Sequence, residues 1–433
     1  MFFNLKYITF VYFYLMILMV SSPLHSEITI IHAGTLIDGQ SNQAYKKRTI
    51  IIEDTLIVSV INGYQEPQKN DIYLDLKKYT VLPGLMDMHV HLDGEYNKNS
   101  YSERFSFEAA DRAIRAVVNA KKTLMAGFTT VRNLGDSDNV TISLRNAINQ
   151  GIISGPRIFS AGKSLATTGG HADPTNGVRE DIFHIPTPVD GVIDGRDGAF
   201  KGVRSRYQSG ADLIKITATG GVLSVAKNGQ NPQFTEDEIL AIVEAAKDYD
   251  FTVAAHAHGA EGIKRAVRAG VNSIEHGSLM DEEGMSLMVK YGTYYVPTIM
   301  AGYWVAEKAQ QPGFFPEIVR PKALAIGPAI QETFRKAYER GVKIAFGTDS
   351  GVSAHGENAQ EFIYMVQAGM SEMEAIKSAT SIASELIGMS DLMGSIQSGK
   401  LADIIAVSGN PLEDISTLKK VEVVIKEGVI YKN

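Results

Sequence analysis

The chain contains no cysteine among its 433 residues. That excludes disulfides, a thiolate nucleophile, thiolate-ligated zinc and a lipid anchor on an N-terminal cysteine. Any bound metal must therefore be held by His, Asp, Glu or a less usual group. There is no basic run, and the formal net charge is -7, so nothing marks nucleic acid or an anionic membrane surface as a partner. Long apolar runs are missing as well, with one exception. "ITFVYFYLMILMV" (Ile8 to Val20) follows Lys6 and precedes "SSPLHSE". It is shorter than the ~20 residues of a relaxed membrane span and has the layout of a secretory signal peptide. Residues 1–26 are expected to be removed after Ser26, giving a secreted or periplasmic protein without a stable membrane anchor. An uncleaved anchor is the alternative, because Leu24 is not the small residue preferred near a cleavage site.

What is present falls into two textures. From Ile28 to about Leu82 the chain reads as short strands with glycine and polar breaks ("ITIIHAGTLIDG", "RTIIIEDTLIVSVI", "DIYLDLKKYTVLPG"). "GSIQSGKLADIIAVSG" and "VEVVIKEGVIYKN" return to that texture at the C-terminus. Residues 27–84 and 394–433 are therefore expected to form one small β-sandwich domain built from both chain ends. Residues 85–393 alternate strand and helix. Strand candidates are "GLMDMHVH", "TTVRNLG" (from Thr129), "RIFSAG" (from Arg157), "DLIKITATG" (from Asp212), "TVAAHAHG" (from Thr252), "SIEHG" (from Ser273), "YYVPTI" (from Tyr294) and "VKIAFGTDSG" (from Val342). Between most of them lie helical patterns such as "EDEILAIVEAAKDYD" and "AEGIKRAVRAG", expected to end near capping glycines. Eight strands with intervening helices match an α/β fold of the (β/α)8 TIM-like barrel type. A doubly wound open sheet is the alternative, but no GxGxxG follows the first strand.

In such a barrel the chemistry sits at the C-terminal strand ends. His89 and His91 end strand one and share a face, since alternate strand residues point the same way. Lys215 sits in strand four, His256 ends strand five, His276 strand six, and Asp349 lies in "FGTDSG" of strand eight. Singly, each has an ordinary reading. A lone histidine can be a hydrogen-bonded structural residue, a strand lysine can snorkel to the surface, and Asp before Ser-Gly is a common turn. Jointly, five strand ends would have to acquire metal-type ligands independently. The lysine is the discriminating residue. An ammonium buried beside divalent cations is strongly unfavourable, whereas a deprotonated amine can react with carbon dioxide to give a carbamate able to bridge two metals.

At this point the chain resembles the metal-dependent amidohydrolase superfamily. The matching segments are "PGLMDMHVHL", "LIKI", "AAHAHG", "SIEHG", "FGTDSG" and the terminal "GSIQSGKLADIIAV" and "NPLEDI". "TTVRNLGD", "TTGGHADP" and "AHGENAQEF" are similar to the branch that groups imidazolonepropionase-like enzymes with Xaa-Pro (prolidase-type) dipeptidases. The resemblance implies two divalent ions, Zn2+ being expected, with His89, His91 and Asp349 on one and His256 and His276 on the other. Carboxylated Lys215 would bridge them, and a hydroxide between the metals would attack the scissile carbonyl. Asp349 would take the proton and pass it to the leaving amine. His171, after a double glycine that lets backbone approach closely, would bind the substrate's carbonyl or carboxylate; a turn residue is the alternative.

Six residues stand beside this set as substrate-side candidates or neighbours. Strand five is expected to end at His256, leaving His258 on the loop as a donor beside the ligands. Arg132, at the end of strand two, could meet a substrate carboxylate or pair with Asp136 or Asp349. His355 and Glu357 lie on the loop after strand eight. Tyr303 and Trp304, the latter the only tryptophan, are placed to wall the pocket or simply to pack.

The expected activity is hydrolysis of an amide bond in a small molecule, Xaa-Pro dipeptides first. Alternatives are carboxypeptidase-type cleavage before Arg or Lys, an amidase for N-acyl amino acids or ochratoxin-like molecules, and a cyclic-amide hydrolase of the imidazolonepropionase kind. A non-catalytic binding barrel would be expected to have lost ligands, and all six positions are filled. Homo-oligomers are usual among soluble enzymes, but no segment marks an interface. Lys215→Ala is expected to lose most bound metal and most activity. Unchanged metal content and turnover in that variant would contradict a bridging role.

Overall fold

The computed structural model describes residues 27–182 and 184–433; the expected signal peptide lies outside them. Among the described residues, no helix is long and apolar enough to cross a membrane.

Four strands open the chain: β1 (Ile28–Leu36), β2 (Tyr45–Glu53), β3 (Leu56–Asn62) and β4 (Ile72–Pro83). Seven barrel strands follow: β5 (Leu85–Val90), β6 (Phe128–Asn133), β7 (Arg157–Ser160), β8 (Ile214–Thr217), β9 (Val253–Gly259), β10 (Ser273–Leu279) and β11 (Tyr294–Val296). The last three are β12 (Ile404–Ser408), β13 (Val421–Lys426) and β14 (Val429–Lys432). Strands from both chain ends share one seven-stranded sheet in the order β14-β13-β12-β4-β1-β2-β3. Segment 399–402 hydrogen-bonds back to the edge strand β3 (Ile57 N to Lys400 O, 2.8 Å), so the sheet folds over on itself. Ile31, Leu36, Ile50, Leu74, Ile404 and Ile425 fill the interior it encloses. This is the composite β-sandwich.

In the barrel, β5-β6-β7 and β8-β9-β10-β11 form two parallel sheets. Loop main chain joins β7 to β8 through Leu165, whose N–H donates to Lys215 O at 2.8 Å. The other seam is the eighth strand position. Tyr295 N donates to Lys343 O, Met88 N to Phe346 O and His91 N to Ser350 O, at 2.7–2.9 Å. The segment from Val342 is thus hydrogen-bonded on both sides, yet it is not a regular strand as expected; only Ile344 and Ser350 make isolated bridges. The reason is chemical. Thr348 N bonds the Asp87 carboxylate rather than a neighbouring carbonyl (3.1 Å), and Asp349 adopts a left-handed φ of 57°.

The helices bury the apolar faces that their periodicity predicts. Helix Ala260–Arg268 buries Ile263, Ala266 and Val267 and is followed by Gly270 at φ 93°. Helix Glu236–Lys247 opens on a capping box, with Thr235 Oγ1 accepting from Glu238 N and Glu238 accepting from Thr235 N. Its expected glycine stop is absent: Asp250, at φ 56°, takes the left-handed position instead.

Barrel and sandwich meet closely. A side chain at Gly84 would come within 2.2 Å of Thr129 Oγ1, so only glycine lets the chain cross there. Arg157, at the start of β7, donates to Asp403 Oδ2 (2.7 Å) and Glu427 Oε1 (2.6 Å) of the sandwich. Asp403 is buried and the Arg157 side chain is largely withdrawn from solvent. Removing one partner of a buried pair leaves an uncompensated charge, so Arg157→Met is expected to cost about 3 kcal/mol and lower the thermal midpoint. An unchanged midpoint would show that apolar contacts alone hold the joint.

Candidate metal centre

The parallel register of the barrel brings the C-terminal strand ends to one rim, where they enclose a cavity of about 230 Å³. His89, His91, His171, Lys215, His256, His258, His276 and Asp349 all line it. Sequence distance is no guide here: the ring centroids of His89 and His276 are 4.9 Å apart, and those of His256 and His276 4.7 Å.

Three residues come closest. The nearest ligand atoms of His89, His91 and Asp349 all lie within 4.8 Å of one another. Asp349 Oδ1 is 3.5 Å from His89 Nε2 and 3.4 Å from His91 Nε2. His89 Nε2 is buried and makes no hydrogen bond. A buried, unpartnered ring nitrogen is costly, and a metal ion is the partner that would satisfy it together with the neighbouring imidazole and carboxylate. The donor set fits such an ion.

The opposite ring nitrogens are occupied in a consistent pattern. His89 donates Nδ1–H to Glu275 Oε2 at 2.9 Å, and His91 donates Nδ1–H to Gly135 O at 3.0 Å. His276 Nδ1 is hydrogen-bonded to Thr298 Oγ1 (2.8 Å) and His258 Nδ1 to Ser278 Oγ (2.9 Å). In each case the Nε2 remains for a ligand, the arrangement in which metal-binding imidazoles are held in a fixed tautomer. His256 is reversed: its Nε2 contacts Gly220 O at 3.2 Å, leaving Nδ1 as the open nitrogen.

Burial keeps these rings neutral, the form that binds metal. It lowers His91 to about 4, and His171 and His258 to about 3. His89, His256 and His276 are driven well below the ordinary imidazole value, again chiefly by burial. Burial likewise lowers the Lys215 ammonium and raises the Asp349 carboxyl, each partly offset by the other's charge. Lys215 is 4% exposed and its ammonium makes no ion pair within 4 Å among the described residues.

Some placements differ from expectation. β9 continues to Gly259, so His258 is on the strand and lines the cavity rather than sitting on a following loop. Arg132 does not reach the cavity. It is enclosed in the barrel and donates to Met88 O, Ser273 Oγ and Glu275 Oε1 at 2.7–3.1 Å, not to Asp136 or Asp349. His355 donates to Gly94 O at 2.9 Å, outside the cavity lining, and Glu357 is exposed. Tyr303 and Trp304 are packing residues. Trp304 meets Phe314, Phe315 and Tyr96, while Tyr303 stacks on Tyr364. His171 does reach the rim, its ring 4.4 Å from that of His256 and its Nδ1 bonded to Ser224 Oγ. A side chain at Gly221 would strike that ring.

Glu275 is the principal residue that sequence reasoning missed. It lies inside the quoted "SIEHG", and adjacent strand residues normally face opposite ways. Here His276 has a left-handed φ of 70°, which breaks the alternation and lets both side chains face the barrel axis. A carboxylate directly before the candidate ligand His276, in a strand buried over most of its length, was the available signal.

The remainder of the cavity is mostly apolar: Val222, Leu223, Ala301, Val305, Ile326 and Val352 line it, with the hydroxyl residues Ser164, Thr217, Ser278 and Thr298 among them. It opens past His91, Ser164 and His171 into a wider vestibule of about 630 Å³ with charges of both signs: Arg104, Arg112 and Lys163 against Asp93, Asp136, Asp138, Asp173 and Asp190.

The amidohydrolase family model matches residues 80–431. Ochratoxinase of Aspergillus niger is 33% identical over 439 aligned positions, covering 96% of this chain and 89% of the relative. Among solved structures, a Xaa-Pro dipeptidase with methionine bound in its active site is 57% identical, with a TM-score of 0.92. That match covers 94% of this chain and all of the other. A prolidase complexed with N-methylphosphonate-L-proline is 33% identical with a TM-score of 0.86, over 94% of this chain and 100% of that one.

Outer partners of ligating histidines commonly govern metal affinity by 10–100-fold. Glu275→Gln is expected to weaken metal binding by about that factor, measured by competition with a chromogenic chelator. An affinity equal to the parent's would show that Glu275 serves only Arg132.

Proposed function

The chain belongs to the amidohydrolase family, and from that premise we propose that it hydrolyses the amide bond of small dipeptide-like substrates. Xaa-Pro dipeptides with an apolar Xaa are the leading class. The observation that carries this reading is one cavity in which a metal-ready cluster of four histidines, Lys215 and Asp349 adjoins an apolar pocket. The likeness to a Xaa-Pro dipeptidase and a prolidase supports the substrate class.

In this reading His89, His91 and Asp349 hold one divalent ion, and His256 and His276 hold a second, Zn2+ being the expected metal. Such ions, when bound, supply Lewis acidity and a nucleophile at neutral pH. Lys215 contributes as a carbamate. Its buried amine, held toward the neutral form, adds to carbon dioxide, forming an N–C bond and releasing one proton. Asp349, whose carboxyl burial raises toward neutrality, takes a proton from the attacking water and returns it to the departing amine. His171, positioned by Ser224, faces the substrate from the vestibule side.

The lining favours apolar over basic substrates. Among the described residues, the only carboxylate of the inner cavity is Asp349, which this reading commits to the metal, so a lysine or arginine side chain held in that inner cavity would lack a partner there, at a desolvation cost. Activity on ochratoxin-like amides is the second reading, motivated by the relative at 33% identity. The signal-peptide-like N-terminus supports an exported enzyme that meets peptides outside the cytoplasm.

The test is a substrate panel on purified protein of known metal content: Met-Pro and Leu-Pro, Ala-Arg and Ala-Lys, N-acetyl amino acids and ochratoxin A. The expected outcome is about two metal equivalents per chain and the highest kcat/KM on the apolar Xaa-Pro dipeptides. A preference for Xaa-Arg or Xaa-Lys would overturn the substrate assignment. Metal-free protein that gains no activity on adding zinc would overturn the mechanism.

A further inference from the structure

Two buried side chains of one short segment reach opposite sides of the centre, although neither lines the cavity. Asn358 and Glu361 are both fully buried and stand at the start of helix Gln360–Gln367. They are joined locally by Glu361 N donating to Asn358 O.

Asn358 donates Nδ2–H to Asp87 Oδ2 at 2.7 Å. That carboxylate also accepts from His89 N (3.1 Å), Thr348 N (3.1 Å) and Thr348 Oγ1 (2.6 Å). Asp87 therefore pins the main chain of His89 to that of Thr348, the residue before Asp349. Glu361 works on the other side. Its two oxygens accept from Ile299 N (2.8 Å) and Met300 N (2.6 Å), the first amides of helix Ile299–Lys308, where orphan N–H groups need acceptors. The residue before that helix is Thr298, held at a left-handed φ of 53°, and Thr298 Oγ1 is bonded to His276 Nδ1.

We propose that Asn358 and Glu361 are positioning residues that together set the separation between the His89–Asp349 side of the centre and His276. A single hydrogen-bonded turn carries both contacts, so displacement of either end is felt as a change in the distance between ligands. This rests on reading the cavity as a metal centre. Displacements of an ångström are enough to cost catalysis 10²-fold or so.

The test uses Glu361→Gln and Asn358→Ala in the full chain. Glutamine preserves volume but presents N–H to an amide that needs an acceptor; alanine removes one donor from Asp87. Metal-free parent and variants are titrated with cobalt(II) in the absence of substrate, read by visible absorption and by chelator competition. kcat, KM and thermal midpoint are measured alongside. The expected result is at least tenfold weaker cobalt binding with altered absorption bands in each folded variant. A fall in kcat of about tenfold or more with KM within twofold is expected beside it. Variants with a lowered midpoint but the parent's cobalt affinity, spectrum and kcat would show the segment to be structural only, and would overturn the proposal. A parent chain that takes up no cobalt would overturn the metal reading and this inference with it.

Discussion

A single buried carboxylate, Glu275, organises the floor of the cavity. It accepts from His89 on one oxygen and from Arg132 on the other. The guanidinium of Arg132 in turn spans from Met88 O on β5 to Ser273 on β10. A guanidinium and a carboxylate fully removed from water are tolerable only with every donor and acceptor matched. Matching them requires the first and sixth strands to stand at one separation across the barrel. The same contact that satisfies the buried charge therefore also aims the His89 ring, which leaves its Nε2 free beside Asp349.

Around that floor the rim is built from backbone that is not relaxed. His276, Thr298 and Asp349 are all left-handed and none is glycine. Such residues cost of order 1–3 kcal/mol each and persist only where neighbours over-determine them. The neighbours are identifiable: Thr298 against the His276 ring, Asp87 against Thr348, and Glu361 against the start of the following helix. The strain has a geometric purpose. Regular strands alternate faces, and a cluster that needs Glu275 and His276 both turned inward cannot be made from a regular strand.

Much of the site was legible in the chain. Histidines spaced i, i+2, a lysine in an apolar strand and an aspartate before Ser-Gly are unusual residue types for their local patterns, and each lines the cavity. Residues whose importance is a matter of partners were not legible. Arg132 looked like a substrate-facing cation because it ends a strand, but its charge is consumed inside the barrel. His258 looked like a loop residue because strand five could stop at His256, but pairing with β10 carries the strand onward. Asn358 and Glu361 lie in a segment where attention fell on His355 and Glu357, although His355 is itself buried and only Glu357 is exposed.

Period and residue type alone determined the alternation of strand and helix, the β-rich chain ends that join in one sheet, and the candidate ligand set. These follow from local chemistry: side-chain direction repeats every two or 3.6 residues, and apolar faces must be covered. Only the tertiary structure decided which polar groups are paired. It placed Glu275 under His89, took Arg132 out of reach of any ligand, left one nitrogen of His89 without a partner, and set an apolar wall beside the cluster. Those outcomes depend on contacts between residues more than a hundred positions apart. Hydrogen bonds and desolvation are fixed by distances in space that no local pattern encodes.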